Sequence, residues 1–269
     1  MDGANKEPAQ GELVVEERTG AVARLTLSRP GARNALSMPL MEALQARLDA
    51  IDADPSVQVV VIAGSGPGFC AGHDLREVRA NPGRAFYERL FATCSTLMQR
   101  IMTIRQPVIA EVHGIATAAG CQLVATCDLA IAGESARFAT PGVNIGLFCS
   151  TPMVALSRAV PRKRAMHMLL TGEMLPAAEA LSYGLVSEVV PDAELRAATD
   201  ARAAQIASKS PAAIRIGKRA FYEQIEKPVA GAYEHAGRVM TENMLKRDAE
   251  EGIDAFLEKR PPVWSPPEE

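Results

Sequence analysis

The stretch TAAGCQLVATCD, residues 117–128, opens an apolar run of helical length with three tiny residues, Ala118, Ala119 and Gly120. The first turn of a helix carries unpaired N–H groups and a partial positive charge. Residues this small leave that end open to an oxygen bearing negative charge. A second stretch, SGPGFCAGHDL (65–75), offers the same chance, because Ala71-Gly72-His73 can bring bare backbone against a ligand. Two backbone donors converging on one oxygen make an oxyanion hole, worth about 2.7–4 kcal/mol per donor in a transition state. Close packing of a helix on a strand also favours small residues, and either segment alone fits that simpler reading. One turn beyond Ala119 stands Gln122, an uncharged amide that can orient a water but cannot accept a proton at neutral pH.

Other chemistries fit these residues less well. Gly66, Gly68 and Ala71 match G-x-G-x-x-A, yet Pro67 sits between the glycines and Gly72-His73-Asp74 continue as loop where a dinucleotide-binding helix should run. The fit is read as accidental. Neither a Walker lysine nor a G-x-S-x-G elbow occurs. Five scattered cysteines without a C-x-x-C pair, beside only four histidines, are read as free thiols, with no disulfide framework and no metal site.

The elements that must position these residues follow from patterning. LVVEER and AVARLTLS flank Thr19-Gly20 as two strands and a turn. Ser37 can cap a helix over 38–53 with Leu40, Leu44, Leu48 and Ile51 in one stripe. VQVVVIAG (57–64) reads as a strand buried on both faces. A helix over 84–104, a strand over 108–113, the helix over 118–127 and a strand over 128–133 come next. Helices are predicted over 161–171, 176–183, 192–208, 211–226, 229–247 and about 250–259, and PPVWSPPEE reads as a tail. Strand–helix alternation followed by a helical run implies an α/β core with a helical C-terminal part.

Composition narrows the class. With 48% apolar and 23% charged residues in 269, the chain is an ordinary globular one with enough length for a large core. A net charge of −3 and 4% aromatics give no nucleic-acid or anionic-membrane surface. The most apolar region, 108–134, is broken by Glu111, Gln122, Asp128 and glycines, so no membrane span is expected. MDGANKEPAQG lacks signal-peptide and transit-peptide features, which gives the expectation of a cytoplasmic protein.

Three longer stretches carry a resemblance: FCAGHDLREV (69–78), QPVIAEVHGIATAAGCQLVATCDLAIAGESARFATPGVNIGL (106–147) and LTGEMLPAAEALSYGLVSEVVPDAEL (170–195). With RPGARNALS near the start and GIDAFLEKRPP near the end, the chain resembles the crotonase, or enoyl-CoA hydratase/isomerase, superfamily over about residues 13–260. More narrowly it is similar to the mitochondrial-type enoyl-CoA hydratase domain-containing subgroup. The resemblance implies a crotonase-like spiral of ββα units over 13–195 and a C-terminal helical trimerisation region over 196–260, with a disordered 1–12 and a tail at 261–269. It implies a homotrimer or a dimer of trimers. No cofactor is held permanently, and the ligand or substrate is a coenzyme A thioester.

Site residues carry over one at a time. His73 and Ala119 match the two backbone donors of the oxyanion hole. Arg33 and Ala35 match the loop near the pantetheine and phosphates, and Ala71, Asp74 and Leu75 the segment around the adenine. Phe256 and Lys259 match a closing-helix pair that reaches the coenzyme A of a neighbouring subunit. Asp74 equally fits a helix cap, the His73 imidazole is incidental to a backbone role, and Glu111 is expected at a satisfied structural position.

Hydratases of this family use two glutamates to deliver water across a double bond. Their places are Gln122 and Gly142 here, and the aspartate of some isomerases falls at Ser150, beside Cys149. Losing acid–base groups removes roughly 10²–10⁴-fold of rate. Ordinary hydration is therefore doubted. The resemblance leaves an enzyme with another task on the same platform, a non-catalytic acyl-CoA- or partner-binding protein, or an ordinary enoyl-CoA hydratase. Restoring both glutamates is expected to bring back weak hydration if the pocket is otherwise intact.

Overall fold

The computed structural model describes residues 11–266; most of the expected disordered segment and the last three residues of the expected tail lie outside these. A hairpin of β1 (Val14–Thr19) and β2 (Val22–Leu27) leads into α1 (Met38–Ala53) and β3 (Val59–Gly64). Next come α2 (Leu75–Ala80), α3 (Arg84–Thr103), β4 (Val108–Val112), β5 (Ile115–Thr117), α4 (Ala119–Thr126), β6 (Leu129–Gly133) and β7 (Arg137–Ala139). The chain continues through α5 (Pro152–Ala159), α6 (Arg162–Thr171), β8 (Leu175–Pro176), α7 (Ala177–Tyr183) and β9 (Glu188–Val190). Four helices finish it: α8 (Leu195–Ala207), α9 (Pro211–Ile225), α10 (Val229–Met244) and α11 (Arg247–Glu258).

Six strands form one sheet in the order β1-β2-β3-β4-β6-β9, with only the β1–β2 pair antiparallel. The strands β5, β7 and β8 form a second, smaller sheet. Successive strand side chains point to opposite faces, and that alternation sorts the core. Val60 and Ile62 of β3, with Val108 and Ala110 of β4, join the main core. Val59, Val61, Ile109 and Ile131 turn to the other face, where Leu195 and Ala203 of α8 cover them. The continuous β-branched run is therefore needed on both sides. The helix α8, which begins at the expected boundary of residue 195, lies on this sheet. On the same face Arg24, 3% exposed, ion-pairs with Glu111 at 2.7 Å and Asp200 at 2.6 Å. Glu111 thus holds a structural position.

Ser37 caps α1 by accepting from the Leu40 N–H, and Leu40, Leu44, Leu48 and Ile51 are all buried. The C-terminal helices attach differently. Lys218 of α9 reaches Asp128 at 2.8 Å and the carbonyls of Ile101 and Gln106, while the Tyr222 hydroxyl donates to Asp128. Yet neither α9 nor α10 has a fully buried residue. The tail folds back: the Trp264 indole donates to the Ser208 carbonyl and the Ser265 N–H to Asp248.

Candidate functional site

Two segments missed or only half seen as structured in the sequence hold the glycine-rich loop against α4. Residues 69–71 extend as a strand-like edge: Cys70 N–H donates to Ile115 O, Thr117 N–H to Cys70 O, and the Thr117 hydroxyl to Ala71 O. The opening loop 28–37 closes the other side. Asn34, fully buried at a positive φ of 53°, sends its side-chain N–H groups to Ser65 O, Gly68 O and Phe69 O and accepts from the Arg29 N–H. Asparagine tolerates this conformation better than most residues, and sequence reasoning passed over it although it stands between Arg33 and Ala35. Arg33 itself has φ 49° and its carbonyl accepts from Ala71 N–H, while Ala35 O accepts from Arg29.

Leu36 pairs with His73 as an isolated parallel bridge. Leu36 N–H donates to Gly72 O at 2.7 Å and Asp74 N–H donates to Leu36 O at 3.2 Å. In that pattern the residue between, His73, turns its own N–H away from Leu36. Gly72, at φ 92°, carries the chain across the start of α4: a Cβ there would stand 3.2 Å from Ala119 N and 2.9 Å from Thr117 O. The Gly72 backbone, next to His73 in the chain, thus lies against Ala119 at the start of α4.

The start of α4 is strained. Ala118 has φ 50° and ψ −118°, and its N–H is tied to Ala139 O at 2.9 Å. A left-handed alanine costs on the order of 1–3 kcal/mol and is kept where surrounding structure enforces it. Ala119 follows as the first helical residue, with no side-chain cap and no acceptor for its N–H among the described residues.

Side chains around this opening are neutral. The His73 ring packs edge-on to Phe91 at 5.7 Å, and neither ring nitrogen has a hydrogen-bond partner among the described residues. Burial pushes its pKa below the usual value, with the Leu36 backbone opposing. The native state then binds fewer protons than the unfolded one between the depressed value and 6.5. Stability from this group is complete above 6.5 and is lost as pH falls toward the folded value. His73→Gln is expected to shrink the drop in Tm between neutral pH and about pH 5, read by thermal denaturation at each pH.

The nearby carboxylates are engaged elsewhere. Asp74 caps α2 through the N–H groups of Arg76 and Glu77 and pairs with Arg29 at 2.9 Å. Burial raises its pKa, but Arg29 and these amides outweigh that and hold it low. Glu77 accepts from Met38 N–H. Leu75, the first residue of α2, is half exposed.

Gln122 is 4% exposed, and its Oε1 lies 4.0 Å from Cys94 Sγ of α3. Burial pushes the Cys94 thiol up to about 12, so it is an S–H donor. Gly142 is buried in a 3-10 turn over Pro141–Ile145. A Cβ there would stand 2.6 Å from Leu147 O and 2.9 Å from Cys149 Sγ. Leu147 N–H donates to Gly142 O, closing the 146–149 loop onto this spot. A side chain at 142 would have to displace the Leu147 backbone, which weighs against recovery of hydration by restoring both glutamates. Cys149 is buried, its pKa raised by burial with the Gly142 backbone opposing. Ser150 is exposed and its hydroxyl donates to Phe148 O, within its own turn. Phe256 and Lys259 lie apart on α11, which packs on α9 and α10; Phe256 is 82% exposed and Lys259 is the left-handed C-cap.

Comparison with known proteins adds the following. The family model described as enoyl-CoA hydratase/isomerase matches residues 17–267. The human enoyl-CoA hydratase domain-containing protein 3, mitochondrial, is 47% identical over 98% of this chain and 87% of its own length. Its Xenopus laevis counterpart is 47% identical over 94% and 86%. Among solved structures, an enoyl-CoA hydratase of Mycobacterium smegmatis superposes with a TM-score of 0.92 at 51% identity, covering 96% of this chain and 99% of that one. The crystal structure of the human domain-containing protein 3 gives 0.91 at 46% identity, over 94% and 100%. These names overturn the expectation of a cytoplasmic protein, since relatives nearly half identical in sequence are named mitochondrial. That expectation rested on the residue types of 1–11, which carry little information about address.

Proposed function

The chain belongs to the enoyl-CoA hydratase/isomerase family, and from that membership we propose that it binds an acyl-CoA thioester with the carbonyl oxygen between the His73 and Ala119 N–H groups, without two-glutamate hydration chemistry. One observation supports this reading: the Gly72 backbone beside His73 lies against Ala119 N at a helix start without a side-chain cap, while a Cβ at Gly142 would meet Leu147 O and Cys149 Sγ. Such a hole stabilises an enolate or a tetrahedral anion. Chemistry that needs no carboxylate base fits it better than hydration does. Arg33, Ala35, Ala71 and Leu75 border the path for the coenzyme, with Asp74 holding the loop through Arg29 rather than touching ligand.

Isothermal calorimetry with acetyl-CoA and longer acyl-CoAs tests the reading. Binding is expected, and binding weakened by lengthening the Ala118–Gly120 side chains supports the placement. No heat with any thioester removes it.

A homotrimer or a dimer of trimers is part of the same proposal. Val229, Tyr233, Met240 and Met244 make one exposed stripe along α10, and Phe256 and Leu257 are exposed on α11. A monomer seldom leaves so much contiguous apolar surface open. Light scattering is expected to give three or six times the 28.7 kDa chain mass; a monomer at micromolar concentration would count against it.

A further inference from the structure

Helical side chains lean toward the N-terminus and cover the turn before their own Cα. Gln122 therefore overhangs the turn that begins at Ala119, beside the unpaired N–H. The Cys94 thiol occupies its Oε1. Its Nε2 has no hydrogen-bond partner among the described residues and is not among the polar atoms sealed from accessible space, although the residue is 96% enclosed by its 4% exposure. An enclosed amide nitrogen without a partner is a donor awaiting an acceptor.

We propose that Gln122 is a specificity-determining donor to a carboxylate on the acyl group, so that the pocket prefers CoA thioesters of short dicarboxylic acids to neutral acyl-CoAs of the same shape. This rests on the thioester reading above. The surroundings favour an anion: the start of α4, which has no side-chain cap and carries the positive end of the helix, lies one turn from Gln122. No neighbouring thiol supplies a competing negative charge, since burial raises the pKa of both Cys94 and Cys149. Asp74, Glu77 and Glu111 are each committed to partners of their own. A glutamate at 122 would repel such a ligand; the amide is what admits it.

Malonyl-CoA, acetoacetyl-CoA and isovaleryl-CoA differ only in a terminal carboxylate, methyl ketone or isopropyl group, which isolates the contact. Calorimetry on the intact protein is expected to show malonyl-CoA bound roughly ten- to a hundredfold more tightly than the other two, as for a hydrogen bond to a charged group. Gln122→Leu should abolish the preference and Gln122→Glu reverse it, with an unchanged circular-dichroism spectrum and Tm as the check on folding. Cys94→Val should weaken malonyl-CoA alone, and Cys94→Ser should keep it. Equal affinities in the unaltered protein, or a preference that survives Gln122→Leu, overturns this inference and leaves the thioester reading standing. Failure of all three ligands to bind overturns both.

Discussion

Crotonyl-CoA is expected to be hydrated by this protein roughly 10²–10⁴-fold more slowly than by a family member with both glutamates. Each missing group has a separate physical reason. Gln122 keeps the position one turn into α4, but an amide neither takes nor gives a proton at neutral pH. Gly142, the expected place of the second group, has no side chain, and the chain packs tightly around it: Leu147 N–H donates to Gly142 O, and Cys149 Sγ adjoins the site of a Cβ. The nearby thiols do not substitute, because burial holds Cys94 at about 12 and raises Cys149 as well. Following loss of the enoyl absorbance measures the rate; turnover within about tenfold of a two-glutamate enzyme would show that another acid–base pair acts. The double replacement Gln122→Glu, Gly142→Glu is expected to give no recovery and a lower Tm. Its Cβ at 142 meets a backbone carbonyl at 2.6 Å, which no rotamer relieves. Gln122→Glu alone keeps the fold and isolates the question of the first carboxylate.

How far the sequence could go is clear from particular residues. The run VVVIAG announced a strand buried twice over because every position is apolar, and the structure needs that, with Val60 and Ile62 on one side and Val59 and Val61 on the other. The small residues of TAAG and CAGH pointed to bare backbone, and Gly72 and Gly120 do press loop and helix together. What stayed hidden depends on distant partners. The strands β7 and β8 span three and two residues, too short to show alternation. The helix α5 starts inside FCSTPMVALSRAV, where Pro152 at its first turn resembles a breaker but is tolerated there. Asn34 reads as an ordinary loop residue until three carbonyls from another loop converge on it. The filled space at Gly142 is a tertiary fact, since the Leu147 carbonyl folds back from five residues ahead. The resemblance supplied the expected roles of His73 and Ala119, whereas the strained Ala118 and the Leu36–His73 bridge became visible only in the structure.

Gly120→Ala is expected to destabilise the protein and abolish acyl-CoA binding, although helix propensity alone argues the other way. Within a helix, alanine is favoured over glycine by roughly 0.5–1 kcal/mol. At Gly120, however, an added Cβ would collide with the Cys70 carbonyl and stand 2.8 Å from Cys70 C and 2.9 Å from Cys70 Cβ. Cys70 is fixed from both sides, donating to Ile115 O and accepting from Thr117 N–H, so neither backbone can yield without breaking the edge that carries Ala71-Gly72-His73. Overpacking of this kind costs about 1–3 kcal/mol, which for a chain of this length lowers Tm by roughly 2–4 °C per kcal/mol. The same displacement separates the His73 and Ala119 amides, so binding measured by calorimetry should fail even where the variant remains folded. Gly217→Ala provides the comparison: it is also a helical glycine, but nothing lies within 4 Å of its Cβ position, and it should leave Tm unchanged or higher. If Gly120→Ala behaves like Gly217→Ala in both measurements, the close approach of Cys70 to α4 does not position the site. The two donors would then be held by some other contact.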